Sequence, residues 1–277
     1  MQLADLLAHP TPLPSSPRVL ALLLTELRQV QPELRRIDQL IKADPVLSLR
    51  VMQAANAPDF DLCGQVRCVS EALALLRLDQ VQGLVSQAIA QVSFKSGAGL
   101  PLAQFWVYSQ DCARLARALA GLLQQNQQAA YVAGLIHALG ELLMRAAMPQ
   151  TLVLDDSCPP LDFRRANAER QLFGFCYTQL SAALARQAQL PQTLCDALAY
   201  ADVPFDNDAY EPLAGVLHLA QWRARANHLG LQKNALTVTF PSLVAEMLGL
   251  DIDMVLQQDP IDWSRQVSAH MPLATQT

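Results

Sequence analysis

The chain has little charge and few aromatic rings: 16% of its 277 residues are Asp, Glu, Lys or Arg and 6% are Phe, Trp or Tyr, against 52% hydrophobic residues overall. So apolar a sequence excludes general disorder, and its length allows one large domain or two small ones. No stretch alternates Val, Ile and Thr with polar residues as strands do. Leu, Ala and Gln recur instead, and the expected class is all-α. Basic residues are outnumbered by acidic ones, 20 to 25, for a formal charge of −5. That balance argues against a nucleic-acid binder, which must neutralise phosphates. The short basic pairs Arg35-Arg36 and Arg164-Arg165 are read as solvated helix faces. No apolar run approaches the roughly 18 residues of a membrane span; Val19 to Leu24 is broken by Thr25 and Glu26. The start, Met1-Gln2-Leu3-Ala4-Asp5, has no basic region or apolar signal core, so the expected compartment is the cytoplasm. The six cysteines form no C-x-x-C pair and are read as reduced side chains, mostly filling the core.

What the sequence does contain is helix punctuation. Ser16-Pro17, Gln31-Pro32 and Asp44-Pro45 each set a proline just inside an expected helix start. The first of these helices carries Val19, Leu20, Leu23, Leu27 and Val30 on one stripe and needs a partner. Asn56 is expected to close the third helix, either in a left-handed conformation or with its amide capping free carbonyls. Ser70 is expected to cap a short helix to Leu76, and Asp79 a longer one to about Phe94. Ser96-Gly97-Ala98-Gly99 then breaks the pattern, placing a boundary between a lobe at 1–98 and a second at 99–277.

The second lobe is expected to open with a helix from Pro101 to about Leu123. Its Phe105, Tyr108, Cys112, Leu115, Leu119 and Leu122 recur at three-and-four spacing and must be buried. A single central helix, apolar nearly all round, is expected from about Ala129 to Met148. Further helices are expected at about 164–173, 177–189, 191–200, 211–229 and 242–257. The tail beyond residue 230, with Lys233 and Arg265 as its only basic side chains against Glu246, Asp251, Asp253, Asp259 and Asp262, should pack by its Leu and Met face with acid outward.

Several short motifs now fall into one order. Leu13-Pro14 is followed by Asp44-Pro45-Val46-Leu47, Arg50-Val51-Met52, Ala55-Asn56 and Val69-Ser70-Glu71-Ala72. Phe105-Trp106-Val107-Tyr108-Ser109 is similar to F-W-x-H-S, and Ala133-Gly134-Leu135-Ile136-His137-Ala138-Leu139-Gly140 to A-G-L-L-H-D-I-G. Glu169, Phe173-Gly174-Phe175 and Leu190-Pro191 extend the series. From about Leu13 to His228 the chain resembles the HDOD domain of bacterial signalling proteins, which is related to the HD superfamily of metal-dependent phosphohydrolases. The resemblance implies a two-lobed helical bundle, with an N-terminal helical lobe, an HD-like helical lobe and a C-terminal helical extension.

A phosphohydrolase of that type needs a metal held by His nitrogens and carboxylates from several helices. The resemblance places those ligands at positions where this chain departs from the pattern. Tyr108 stands for the first His, and Ala138 for the Asp of the His-Asp pair that keeps His137. Tyr177 stands for a later His, Ala201-Asp202 for a His-His pair, and Gln221 for the final Asp. A catalytic site uses about three protein ligands, and these positions supply His137, with Asp202 a poor second. The expectation is therefore a vestigial pocket of Tyr108, His137, Ala138, Tyr177, Asp202 and Gln221, with no catalytic residues, no metal and no cofactor. His137 is read as a core histidine bonded to Glu141 one turn on. His218 and His228 are at the wrong phase for one shared site. The leading functional reading is a non-catalytic HDOD-type regulator that binds an unidentified protein partner in trans, with no nucleic acid and no membrane. The alternatives are a divergent metal-dependent phosphohydrolase and a small-ligand or nucleotide sensor that uses the old active-site cavity.

Overall fold

The computed structural model describes residues 2–8, 12–92, 102–160, 162–208 and 210–257. Among the described residues it is helical throughout and contains no strand. No described helix is long and apolar enough to cross a membrane.

The N-terminal half comprises α1 (Leu3–Ala8), α2 (Pro17–Leu27), α3 (Leu34–Lys42), α4 (Pro45–Ala55), α5 (Val69–Leu75) and α6 (Leu78–Val92). Proline opens α2 and α4, where its missing N–H costs nothing. Asp44 caps α4 by accepting from the Leu47 backbone N–H at 2.9 Å, and it also accepts from the Ser16 N–H. One buried carboxylate thus ties the starts of α2 and α4 together. Gln31-Pro32 lies outside the second helix: α3 is capped at Glu33, and the Glu33 N–H donates to Glu26 at the end of α2. Val30 is 99% exposed, because α2 stops before it. Ser70 is not the cap of α5; that position is Cys68, and the Ser70 hydroxyl bonds Asp38 of α3 instead. Asp79 lies inside the first turn of α6, paired with Arg77.

Asn56 is fully buried at the end of α4 with φ −94°. It is not left-handed. Its amide donates to the carbonyls of Met52 and Val66, and its oxygen accepts from the Val66 N–H.

The second half contains α7 (Leu102–Leu122), α8 (Gln127–Ile136), α9 (Leu139–Ala147), a 3₁₀ turn at Pro149–Leu154, α10 (Arg165–Phe173), α11 (Tyr177–Gln187), α12 (Gln192–Ala199) and α13 (Pro212–His228). The stripe on α7 is buried as expected from Phe105 to Leu119, with Tyr108, Leu115 and Leu119 each 1% exposed, while Leu122 at its end is only half-buried. The single central helix is corrected to two, α8 and α9, broken at His137-Ala138. The break has a local cause. The Ser181 hydroxyl of α11 donates to the His137 carbonyl at 2.7 Å and accepts from the Gly140 N–H at 2.8 Å, so it takes the place of backbone partners. Gly140 permits this approach: a Cβ there would lie 2.0 Å from the Tyr177 carbonyl.

Three short helices follow, α14 (Lys233–Thr239), α15 (Ser242–Met247) and α16 (Ile252–Gln257). They correct the expected helix at 242–257, which Gly249 interrupts with φ 70°. The tail packs by Val244, Ala245, Leu250 and Val255, whereas Met247 and Met254 face outward. The break at 93–101, including the boundary at 98/99 and the helix end at Phe94, lies outside the described residues, as do Asp259, Asp262 and Arg265. One contiguous apolar core runs from Leu20 to Val255 through both halves, with α4 packed on α8.

Candidate functional site

Four elements meet at His137. Helix α7 brings Tyr108, the α8–α9 break brings His137 and Ala138, the first turn of α11 brings Tyr177, and α13 brings Gln221 and Arg225. The first four of these residues line one cavity with Glu141, Asp162 and Arg225. Its free volume is about 10 Å³, room for about one water. The Tyr108 ring occupies the rest, meeting the His137 ring edgewise at 5.3 Å between centroids and the His228 ring at 5.4 Å. Gln221 joins the two tyrosines: its carbonyl accepts weakly from the Tyr108 hydroxyl at 3.5 Å, and its Oε1 from that of Tyr177 at 3.4 Å.

The sequence-derived pocket is thus brought together except for Asp202. That carboxylate lies on the outer side, in a groove shared with Tyr177, His218 and Gln221, where it is paired with Arg170 and accepts from Thr178 at 2.9 Å. His137 does not bond Glu141. Its Nδ1–H donates to the Gly134 carbonyl at 2.7 Å. His218 and His228 sit apart on α13 as their phase implied, His218 in the groove and His228 against Tyr108 and Asp111.

Burial sets the protonation states here. It pushes the phenols of Tyr108 and Tyr177 well above their ordinary range, with the Arg225 guanidinium pulling weakly the other way. Burial lowers His137 to about 4; the bond to Gly134 opposes this, and the charge of Arg225 adds to it. The donors therefore do not fit a catalytic divalent cation: there is one imidazole, the phenols stay protonated, and a fixed positive charge stands beside them. Among the described residues no group of three or more His, Cys, Asp or Glu could hold a metal ion.

The side of the cavity away from the groove opens onto a buried charge network that was not legible in the sequence. Arg165, expected on a solvated face, is 1% exposed. It donates to Glu169 at 2.9 Å, to Asp155 at 2.9 Å and to the carbonyls of Cys158 and Thr151. Arg145 grips both oxygens of Asp155 at 2.8 and 2.7 Å. Glu169 accepts from the Tyr177 N–H at 2.8 Å, fixing the start of α11. Glu141 stands 3.9 Å from Arg165 with its Oε1 otherwise unpartnered. Burial pushes it up to about 7, the neighbouring Glu169 adding to the shift and the two guanidiniums opposing it. The i,i+4 spacing of Arg165 and Glu169 was visible in the sequence, but nothing there showed that the pair points inward.

Such a helical bundle, with a broken helix carrying His137 against three neighbours, has an HD-like fold. The chain belongs to the HDOD family: the model of the HDOD domain matches residues 13–204. Among solved structures it is similar to the MmoQ response regulator of Methylococcus capsulatus str. Bath, at 23% identity and TM-score 0.70, covering 90% of this chain and 98% of that one. It is similar also to a virulence factor of Campylobacter jejuni subsp. jejuni, at 17% identity and TM-score 0.68, covering 95% and 96%. An HDOD domain protein of unknown function from Geobacter sulfurreducens aligns at 20% identity and TM-score 0.50, covering 96% and 92%. Among curated proteins no sequence matches.

Proposed function

We propose that the chain is a non-catalytic regulator that acts in cytoplasmic signal transduction by binding a protein partner in trans. One observation carries the non-catalytic half. The positions that would hold a metal are occupied by Tyr108, Ala138, Tyr177 and Gln221, packed down to about 10 Å³ beside Arg225. Metal-assisted hydrolysis needs an open coordination position and a water of lowered pKa, and this volume leaves no space for a phosphoryl group. The name of the MmoQ response regulator, a structural neighbour, supports the signalling half. Six free cysteines, five of them buried, are compatible with a reducing compartment.

The test is an assay of the purified chain with bis(p-nitrophenyl) phosphate and added Mn²⁺, Fe²⁺ or Mg²⁺, paired with affinity capture from the native cell. No turnover above a metal-only control, and stoichiometric recovery of one signalling protein, are expected. Metal-dependent turnover lost in His137→Ala would replace this reading with the divergent phosphohydrolase.

A further inference from the structure

Outside the filled cavity, along α13, lies a groove of about 610 Å³, within the usual range for small-molecule sites. Its walls are largely apolar, with Trp222, Leu229 and Val238 among them, and Leu229 and Val238 are 66% and 84% exposed. The polar groups that line it are unevenly satisfied. Asp202 is neutralised by Arg170. His218 donates from Nδ1 to the Ala201 carbonyl, and burial lowers its pKa, which keeps it neutral. Trp222 donates to Thr239. Two donors are left over: the Nε2 of Gln221, a residue 3% exposed, and the Nε of Arg225 are both buried without a partner.

Arg225 also forms no ion pair with a carboxylate among the described residues. Asp162, which feels its charge, gives its oxygens to Arg164. The inner end of the groove therefore carries one uncompensated positive charge and an idle amide donor, in a protein whose net charge is −5. A half-buried guanidinium without a counter-ion is costly unless a ligand supplies one.

We propose that this groove binds a small amphipathic anion, its carboxylate or phosphate head on Arg225 and Gln221 and its planar apolar body along Trp222 and Leu229. The groove backs onto the filled cavity and shares Tyr177 and Arg225 with it, so the ligand would sit on the outer side of these residues and not in the cavity itself.

The probe is 8-anilinonaphthalene-1-sulfonate, compared with its uncharged relative N-phenyl-1-naphthylamine, by fluorescence titration of the full chain with near-UV circular dichroism confirming native packing. Saturable binding of one sulfonate per chain is expected, weakened at least tenfold by Arg225→Gln, with the neutral dye little changed by that substitution. Val238→Glu, at an exposed wall position that leaves the core intact, should weaken the anion as well. Displacement by 2-naphthoate or by 1-naphthyl phosphate tells which head group is preferred, and either supports the site. Equal affinity for the two dyes, or for wild type and both variants, overturns the proposal. So does sulfonate binding that appears only after residues 258–277 are removed, which would assign the groove to the chain's own acidic end.

Discussion

Tyr108 shows what a single replacement does at the centre of the fold. Its ring lies between two histidines, 1% exposed, and its hydroxyl makes a long bond to the Gln221 carbonyl and faces the Arg225 guanidinium. Most of its contribution is therefore volume. Tyr108→Ala should cost roughly 3–5 kcal/mol in urea unfolding, as large aromatic truncations in cores do. Tyr108→His should not bring stoichiometric metal by elemental analysis, because Ala138, Tyr177, Gln221 and the charge of Arg225 remain. Glu141 offers a second test at this scale. Three carboxylates, Glu141, Glu169 and Asp155, share two guanidiniums, Arg145 and Arg165, and the least well paired one, Glu141, holds its proton to a higher pH than an ordinary carboxyl. Its folded value of about 7 lies above the ordinary 4.5. The stability it contributes is full below about pH 4.5 and is lost as pH rises through 7, about 3 kcal/mol in all. The stability of wild type minus that of Glu141→Gln should accordingly fall between pH 4.5 and 7.5. A difference that stays flat across that range would show that the carboxyl titrates normally. His137, lowered rather than raised, acts in the opposite direction but is common to both proteins.

At the scale of elements, caps and glycine contacts fix where helices stop. Asn56→Ala removes three buried hydrogen bonds, two that join the end of α4 to Val66 in the loop before α5 and one to the Met52 carbonyl within α4. Unsatisfied buried partners make this costly, about 2–4 kcal/mol, and a thermal melt at unchanged midpoint would contradict it. Gly140→Ala drives a methyl into the α11 backbone, so it should destabilise by at least about 3 kcal/mol in the same melt. Much of this level was legible. Periodicity and proline placement gave α4, α7, α10, α11, α12 and α13 to within about two residues, and the start of α2 though not its end. They could not give the break at His137-Ala138, because Val132 to Leu143 is apolar apart from His137, Glu141 and two glycines and the cause is a hydroxyl from α11, far along the chain. The pocket residues were legible only as substitutions in a family pattern. Their collapse into one small cavity, the inward turn of Arg165 and the unpartnered Nε of Arg225 and Nε2 of Gln221 depend on packing that no spacing encodes. Asp202 was misplaced for the same reason: Arg170 draws it to the outer face.

For the whole molecule, the contiguous core from Leu20 to Val255 predicts that the halves melt together. Near-UV circular dichroism and calorimetry should report one shared transition; two separated transitions would show independent lobes. Chelation gives a second expectation at this scale. A dicationic cofactor would couple stability to free metal, whereas here the positive charge beside His137 belongs to Arg225 of the chain itself. Excess EDTA should leave the melting temperature unchanged. A metal can be stripped by a competitor or withheld when a cell is starved of it, but a side chain is made with every copy of the protein. On the proposed reading, a molecule that carries its cation covalently keeps its shape whatever the supply of iron or manganese, and unchanged melting in EDTA is the result that reading requires.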